Sequence, residues 1–221
     1  MDELKKSVAP AASLYPEAKS VSEKLNFIDD ASNKTHLSDV ANGKWALLYF
    51  GYTSCPDVCP IDLSKINQAV QLMENSDQLQ VVFVSVDPDR DLGNLDNFAK
   101  AFNQSFKGLT AKQDELMSIS RTLGVYHEVV QSQQTAQEDH SNHNHSHGDR
   151  DDDSHDSHDS HDSHKMVADK ESSSKKVAHY DVDHTSSYLL LNTELELVAL
   201  LTNPHEPGPM AKALDKIIET L

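Results

Sequence analysis

The two cysteines of the chain, Cys55 and Cys59, lie four positions apart in residues 49–60 and are the only cysteines in 221 residues. The segment before them, residues 45–50, is a short apolar run that ends at a glycine, which predicts a buried strand. The segment after them, residues 62–73, has apolar side chains at helical spacing. We therefore expect both thiols at a turn where a strand leads into a helix.

This position predicts a particular chemistry for the thiols. The unpaired N–H groups and the dipole at a helix start favour anions, so we expect stabilised thiolates, the form that attacks disulfides and binds metals. Two sulfurs at this spacing can approach to roughly 3.7 Å and share a metal ion, or close a disulfide after a modest adjustment. A purely structural disulfide is the simpler alternative, but a bond across so short a loop constrains the unfolded chain little. The pair favours a redox or metal-binding role.

Composition narrows the class of protein. With 37% hydrophobic residues, a chain of this length can bury one ordinary core. The formal net charge of −17 argues against nucleic acid or an anionic membrane surface as the main partner, and is compatible with a cationic protein or metal cations. No apolar run approaches the roughly 18 residues of a membrane span, and the polar N-terminus has no signal-peptide core, so we expect a soluble chain.

The order of elements predicts the fold. Residues 1–20 are polar with Ala and Pro, which predicts a flexible N-terminal tether. Residues 21–221 alternate strands and helices, which predicts an α/β domain of the thioredoxin type, with active groups at the carboxyl ends of strands. Both Cys55 and Asp87 follow predicted strands. The predicted elements are an N-terminal β-hairpin (25–28 with 36–40), strands at 45–50, 80–86 and 125–130, a second hairpin (187–191 with 197–201), and helices at 62–73, 95–102, 114–123 and 209–221.

An insertion of different composition, residues 131–178, interrupts this domain. Its centre, residues 138–164, has nine acidic residues against one arginine and no apolar side chain, so we predict that it is disordered. Imidazoles at this density indicate low-specificity binding of Zn(II), Cu(II) or Ni(II), and the alternative is a solvated acidic linker. The histidines of this tract are His140, His143, His145, His147, His155, His158, His161 and His164.

A metal site at the cysteine turn needs at least one further donor. Outside the tract the histidines are His36, His127, His179, His184 and His205. Among them His184 precedes a strand that should run beside the cysteine strand, so its loop should face the cysteine turn. The alternative is a histidine that only makes structural hydrogen bonds.

Three segments, residues 51–60, 84–91 and 182–189, resemble in sequence and order the three motifs of the Sco/SenC copper-binding proteins. The similarity extends over about residues 22–221, apart from the insertion. This resemblance implies a thioredoxin-like, membrane-tethered protein that serves assembly of the dinuclear copper centre of cytochrome c oxidase. The membrane anchor of the family is absent from this sequence, so we expect membrane association only through an N-terminal anchor of a longer form.

The resemblance also implies a site. Cys55, Cys59 and His184 would be the ligands of Cu(I) or Cu(II), and Asp87 a nearby acidic residue linked to the site or to a partner contact. The implied partners are the copper-centre subunit of the oxidase and other copper carriers, and the implied location is the periplasm or another extracytoplasmic face of an energy-transducing inner membrane.

Other functions share these residues. A thiol–disulfide reductase would use Cys55 and Cys59 as a redox pair to keep the partner's copper-ligand cysteines reduced. A peroxidase is a weaker alternative, since residues 50–55 distantly resemble a peroxidatic cysteine turn. A third alternative is a metal buffer formed by the histidine tract, with Zn(II) among its ligands.

Overall fold

The computed structural model describes residues 2–55, 58–125, 127–131, 180–184 and 188–221, with residues 127–131 and 180–184 described by their backbone. One compact unit comprises Met1–Val130 and Tyr180–Leu221, and Gln131–His179 forms a second unit. Apart from Gln131, the insertion predicted at 131–178 lies outside the described residues, as do all eight histidines of its tract.

The helices and strands alternate along the chain, as the sequence predicts for an α/β domain. Short 3₁₀ turns cover Ser22–Lys24 and Ser76–Gln78. The elements in chain order are α1 (Asp2–Val8), β1 (Ala12–Ser20), β2 (Asn26–Ile28), β3 (Lys34–His36), α2 (Leu37–Ala41), β4 (Trp45–Gly51), α3 (Val58–Leu72), β5 (Leu79–Ser85), α4 (Pro88–Asp91), α5 (Leu95–Phe102), β6 (Lys107–Leu109), α6 (Gln113–Leu123), β7 (His127–Gln131), β8 (Tyr180–His184), β9 (Tyr188–Leu191), β10 (Glu196–Leu201) and α7 (Pro207–Thr220).

A six-stranded sheet in the order β1-β10-β9-β4-β5-β6 forms the centre of the first compact unit. Strands β4, β5 and β6 are parallel, whereas β9, β10 and β1 continue the sheet through antiparallel pairs. Every residue of β4 is buried, which explains its uninterrupted apolar sequence, since a central strand covered on both faces has no solvent side. Helix α3 follows β4 and packs against α5 and α7.

The predicted tether at residues 1–20 is wrong for residues 2–20. Helix α1 buries Leu4 and Val8 and packs against α7, and β1 forms an edge of the sheet, with Ala12 opposite Leu201. Only a few apolar side chains anchor this segment, because an edge strand with one covered face needs few of them. Because residues 2–20 are mostly polar, their apolar pattern was too weak to predict α1 and β1.

The first hairpin is confirmed, but its second arm is shorter than predicted. Strand β2 pairs with β3 only as far as Asn26 opposite His36, and residues 37–40, predicted as strand, belong to the helix α2. The His36 ring accepts a hydrogen bond from the Ser38 N–H, which caps this helix, and Leu37 and Ala41 are buried beneath it. A side-chain cap at the first turn thus favours helix over continued pairing.

The remaining predicted elements are confirmed within a few residues, and β7 pairs with β8 in a separate two-stranded sheet. Strand β6 is too short for the sequence to predict, and β8 falls partly in the motif interpreted as a loop. Among the described helices, none combines the length and the apolar character that a membrane crossing requires.

Candidate metal centre

The two cysteines lie at the junction between β4 and α3. Strand β4 ends at Gly51, Cys55 lies in the following turn, and Cys59 is the second residue of α3. Both cysteines are free thiols and both are buried. The predicted position of the pair, at a strand-to-helix turn, is confirmed.

The backbone of this turn holds the sulfur of Cys55 close to the start of the helix. The Cys59 N–H donates to Cys55 Sγ at 3.4 Å, and the Cys55 N–H donates to the Tyr52 carbonyl oxygen at 3.2 Å. A helix-start N–H directed at sulfur is the contact that favours a thiolate or a sulfur–metal bond. One backbone turn therefore holds both cysteines close to each other.

Cys59 lies in a tighter environment than Cys55. It has no exposed surface, and a Cβ added at Gly51 would lie only 2.8 Å from Cys59 Sγ, so glycine alone leaves room for this thiol. Burial raises the pKa of Cys59 to about 12, and a hydrogen bond with the Tyr49 side chain opposes part of that rise. The expected stabilisation of a thiolate by the helix start is wrong for Cys59, because the loss of hydration outweighs it.

Asp87 follows β5, whose last residue, Ser85, pairs with Gly51 at the end of β4. The Asp87 carboxyl is buried and forms an ion pair with Arg90. The Arg90 guanidinium lies 5.8 Å from the centroid of the Tyr52 ring, within the range of a cation–π interaction. Asp87 therefore reaches the cysteine turn through Arg90 and Tyr52.

Asp91 contacts the cysteine turn directly, and our sequence interpretation missed it. Its carboxyl group accepts the Thr53 N–H at 2.8 Å, the Thr53 hydroxyl at 2.6 Å and the Ser85 hydroxyl at 2.6 Å. Asp91 has no exposed surface. The available signal was the third acidic residue of the short segment that follows β5, four positions after Asp87.

A second polar cluster, also missed, lies behind Cys59. The Tyr188 hydroxyl donates to Asp62 Oδ1 at 2.9 Å, and the His205 ring stacks on the Tyr188 ring with 3.9 Å between centroids. Asp62 Oδ2 and His205 Nδ1 are buried without a hydrogen-bond partner among the described residues. Asp62 is three positions after Cys59 and four before Ile66, so the helical spacing places it on the buried stripe of α3, which was the available signal.

His184 is the last residue of β8, so it ends a strand and not the loop that the sequence predicts. Four positions later Tyr188 begins β9, and its Cα pairs with that of Tyr49 near the end of β4. Because β9 is antiparallel to β4, the chain enters β9 at the sheet edge where the cysteine turn begins. The His184 side chain is not among the described ones, so the third ligand stays a prediction.

The described side chains contain no group of three or more His, Cys, Asp or Glu residues placed to hold a metal ion. The donors that they bring together are the two thiols. A pair of adjacent thiols fits a soft metal ion such as Cu(I), which sulfur ligands select over harder cations.

Similar proteins identify the family. The SCO1/SenC family model matches residues 15–148, more than half of the chain. An SCO2-like protein of Rickettsia prowazekii is 32% identical over 142 residues, which are 62% of this chain and 69% of that protein. The mitochondrial SCO1 homolog 1 of Arabidopsis thaliana is 38% identical over 100 residues, which are 44% of this chain and 28% of that protein. The chain thus spans less than a third of the Arabidopsis relative's length.

Solved structures support the same fold. The crystal structure of Arabidopsis thaliana ScoI with copper bound has a TM-score of 0.63 at 24% identity and covers 89% of this chain and 97% of that one. The thioredoxin domain of a thiol-disulfide oxidoreductase from Bacteroides vulgatus has a TM-score of 0.51 at 11% identity, covering 92% and 99%. The predicted thioredoxin-like fold is confirmed. With the family model matching most of the chain before residue 149, this protein belongs to the SCO1/SenC family.

Proposed function

We propose that this protein binds one copper ion through Cys55, Cys59 and His184 and delivers it to the dinuclear copper centre of cytochrome c oxidase. The observation that carries the proposal is the pair of free thiols in one turn, with the Cys59 N–H 3.4 Å from Cys55 Sγ, in a member of the SCO1/SenC family. The copper-bound structure of Arabidopsis ScoI supports copper as the metal.

The proposed ligand set suits a transferable ion. Two thiolates and one imidazole form a soft site for Cu(I), and the same donors can hold Cu(II) in a tetragonal arrangement. Without a fourth strong protein ligand the ion stays accessible, and it passes to the partner's cysteines by ligand substitution. Oxidation of Cys55 and Cys59 to a disulfide removes both sulfur ligands, so the redox state of the pair controls loading.

The topology supports His184 as the third ligand. His184 ends β8 only four positions before Tyr188, which pairs with Tyr49 on the cysteine strand. Four residues span at most about 14 Å, so the chain keeps His184 near the edge of the sheet that carries the cysteine turn.

Protons couple to copper binding in this site. Burial raises the pKa of Cys59 to about 12, so below that pH the thiol is protonated and copper must displace its proton. Raising the pH therefore raises the apparent copper affinity, by about tenfold per pH unit for each proton displaced.

An anaerobic Cu(I) titration of the reduced protein tests the proposal. We expect the parent protein to bind one Cu(I) ion tightly. In His184→Ala the copper affinity should fall by more than roughly ten- to hundredfold, which is the typical cost of losing a residue that only supports a ligand. The matched control is His36→Ala, since the His36 ring is held by Ser22 and Ser38 in the N-terminal hairpin. Equal copper affinities in the two variants would contradict the assignment of His184.

A thiol–disulfide reductase is the second candidate, favoured by the unequal burial of the two thiols. Cys55 retains 8% of its surface while Cys59 retains none, so Cys55 is the sulfur that a disulfide partner reaches first, and Cys59 would resolve the mixed disulfide. The same variant separates the functions. His184→Ala should spare the reaction of the dithiol with a small disulfide, and an equal loss of reductase activity and copper affinity would refute this division of roles.

The histidine tract is proposed as a separate, weaker binding region for Cu(II) and Zn(II). Its eight histidines and nine acidic residues are hard and borderline donors, unlike the thiol pair. Deleting residues 138–164 and counting bound metal tests this: the tight copper site should survive, and the weaker Cu(II) and Zn(II) binding should disappear.

We place the protein at the extracytoplasmic face of an energy-transducing inner membrane, with the copper-centre subunit of the oxidase and other copper carriers as partners. The mitochondrial designation of the Arabidopsis relative supports this location. Co-purification of the oxidase subunit with the copper-loaded protein, but not with a Cys55→Ser variant, is the expected result.

A further inference from the structure

We propose that Asp91 is a positioning residue for the copper site: its carboxyl group fixes the cysteine turn, through Thr53, against the end of β5. This inference rests on the proposed function, because it concerns the geometry in which Cys55 and Cys59 receive copper. It assigns a role to a residue that is neither a ligand nor near the ligands in sequence.

Thr53 and Asp91 are in direct contact. Thr53 lies two positions before Cys55, and both of its hydrogen-bond donors are directed at Asp91: the N–H at Oδ2, 2.8 Å away, and the hydroxyl at Oδ1, 2.6 Å away. Two bonds from one residue to the two oxygens of one carboxyl group fix both the position and the rotation of Thr53. The two hydrogen bonds thus fix the orientation of the cysteine turn relative to Asp91, as well as its distance.

The Asp91 carboxyl group is itself held by the central sheet. Asp91 Oδ2 also accepts the Ser85 hydroxyl at 2.6 Å. Ser85 is the last residue of β5; its carbonyl oxygen accepts the Thr110 hydroxyl at 2.8 Å, and its Cα pairs with that of Gly51. The carboxyl group therefore bridges the cysteine turn to a residue held in the central sheet.

The residues that support Thr53 are buried. Asp91, Ser85 and Thr110 have no exposed surface, so water does not compete for the Ser85–Asp91 and Thr110–Ser85 hydrogen bonds, and Thr53 itself is half-buried. A buried polar group that loses its partner costs far more than an exposed one. The arrangement is the usual way in which a protein holds a functional side chain in place, with supporting hydrogen bonds that orient the residues bearing the ligands.

A matched control exists in the same molecule. Asp30 also accepts three hydrogen bonds from distant residues, the N–H groups of Gly93, Leu95 and Asp96, but these belong to the start of α5 and not to the cysteine turn. Asp30→Ala removes as many hydrogen bonds as Asp91→Ala without touching Thr53. Any effect specific to the copper site must therefore exceed that of Asp30→Ala.

The test measures Cu(I) affinity by anaerobic competition and, without metal, the rate at which iodoacetamide alkylates the reduced thiols. Relative to Asp30→Ala, we expect Asp91→Ala to bind Cu(I) about a hundredfold more weakly and to be alkylated about tenfold faster, since two hydrogen bonds hold the turn. Thr53→Val should lower Cu(I) affinity about tenfold, and Thr53→Ser, which keeps the hydroxyl, should retain the parent affinity.

The outcomes separate this inference from the proposed function. If the parent protein binds no Cu(I), the proposed function fails, and the alkylation rates still decide whether Asp91 positions the turn. Should the parent bind Cu(I) while Asp91→Ala matches Asp30→Ala in both measurements, the positioning role is wrong. If Asp91→Ala does not fold, Thr53→Val decides: parent-like affinity and alkylation overturn the inference.

Discussion

Two buried carboxyl groups flank the cysteine pair, and they differ in how completely they are hydrogen bonded. Asp91, on the side of Cys55, accepts three hydrogen bonds from Thr53 and Ser85. Asp62, on the side of Cys59, accepts one from Tyr188, and its second oxygen has no partner among the described residues.

The nearby ring of His205 accentuates the difference. Its Nε2 lies 3.1 Å from the Leu201 carbonyl oxygen, which can only accept, so Nε2 carries the proton and Nδ1 is left as an acceptor. That Nδ1 lies 4.0 Å from Asp62 Oδ1, so acceptor faces acceptor. Asp91 therefore stabilises the fold at the site. Asp62, in contrast, lies in a locally unfavourable arrangement with His205.

The largest effect is expected at Asp91, whose carboxyl group accepts three hydrogen bonds. Asp91→Ala leaves the buried Ser85 hydroxyl and both donors of the half-buried Thr53 without an acceptor, and we expect the free energy of unfolding to fall by about 4 kcal/mol. Asp62→Ala leaves only the Tyr188 hydroxyl without its acceptor and should cost about 1–2 kcal/mol. Urea denaturation of both variants at neutral pH measures the difference, and equal losses would contradict the contrast between the two carboxyl groups.

The strand end between the two groups gives the next effect. A Cβ at Gly51 would lie 2.8 Å from Cys59 Sγ and 3.2 Å from the Phe83 ring, so Gly51→Ala overpacks the Cys59 side and should cost about 2 kcal/mol. A Cβ at Gly208, in α7, would meet nothing within 4 Å, so Gly208→Ala should be neutral or stabilise by about 0.5 kcal/mol. Thermal unfolding of both variants measures these effects. If Gly51→Ala is as stable as the parent, the Cys59 side chain can shift to accommodate the added Cβ at little cost, and the predicted overpacking is wrong.

A pH effect tests the Asp62 side. Burial lowers the pKa of His205, a shift that its hydrogen bond to Leu201 and the charge of Asp62 oppose and that Lys65 reinforces. As the pH falls below about 6.5 the unfolded chain takes up a proton that the folded chain does not, so stability falls with falling pH, by up to about 1.4 kcal/mol per pH unit. His205→Phe, which keeps a ring on Tyr188, should show a shallower loss between pH 7 and 5 in urea denaturation. Parallel curves for parent and variant would rule out this contribution.

The smallest expected effect is a change in stability that has opposite signs in two Asp→Asn variants. Asp62→Asn keeps an acceptor for Tyr188 and removes the buried charge that lies 4.0 Å from the acceptor Nδ1 of His205, so we expect stabilisation by about 1 kcal/mol. Asp30→Asn should instead destabilise by about 1 kcal/mol, because one amide oxygen cannot accept the three N–H groups that Asp30 now accepts. Denaturation curves that shift in the same direction for both variants would contradict the proposed acceptor–acceptor contact.

The sequence predicts the elements around the site well where burial is complete. Strands β4 and β5 and helix α5 lie within one residue of their predicted bounds, because central strands and strongly amphipathic helices leave an uninterrupted or periodic apolar pattern. The edge strand β1 was missed, since pairing along one edge places few demands on side chains.

The polar contacts around the cysteines were harder to predict. Thr53 and Asp91 are 38 positions apart, and Asp62 and Tyr188 are 126 apart, so only the folded sheet brings them together. Tyr49 was counted as one apolar residue of a buried run, although its side chain hydrogen bonds with Cys59. The thiolate prediction failed for Cys59 for the same reason, since local helix geometry does not reveal how much of a side chain the whole fold covers.

The pairing of β7 with β8 has a consequence for the evolution of the chain. Residues 132–179 leave from one strand and return to its neighbour, so the two ends of the insertion are held together however long it is. For a flexible connection between two paired strands, each doubling of its length costs only about 0.6 kcal/mol of closure entropy. By this argument, gain or loss of Ser-His-Asp repeats would cost little closure entropy and would leave the pairing of β8, which His184 ends, unchanged.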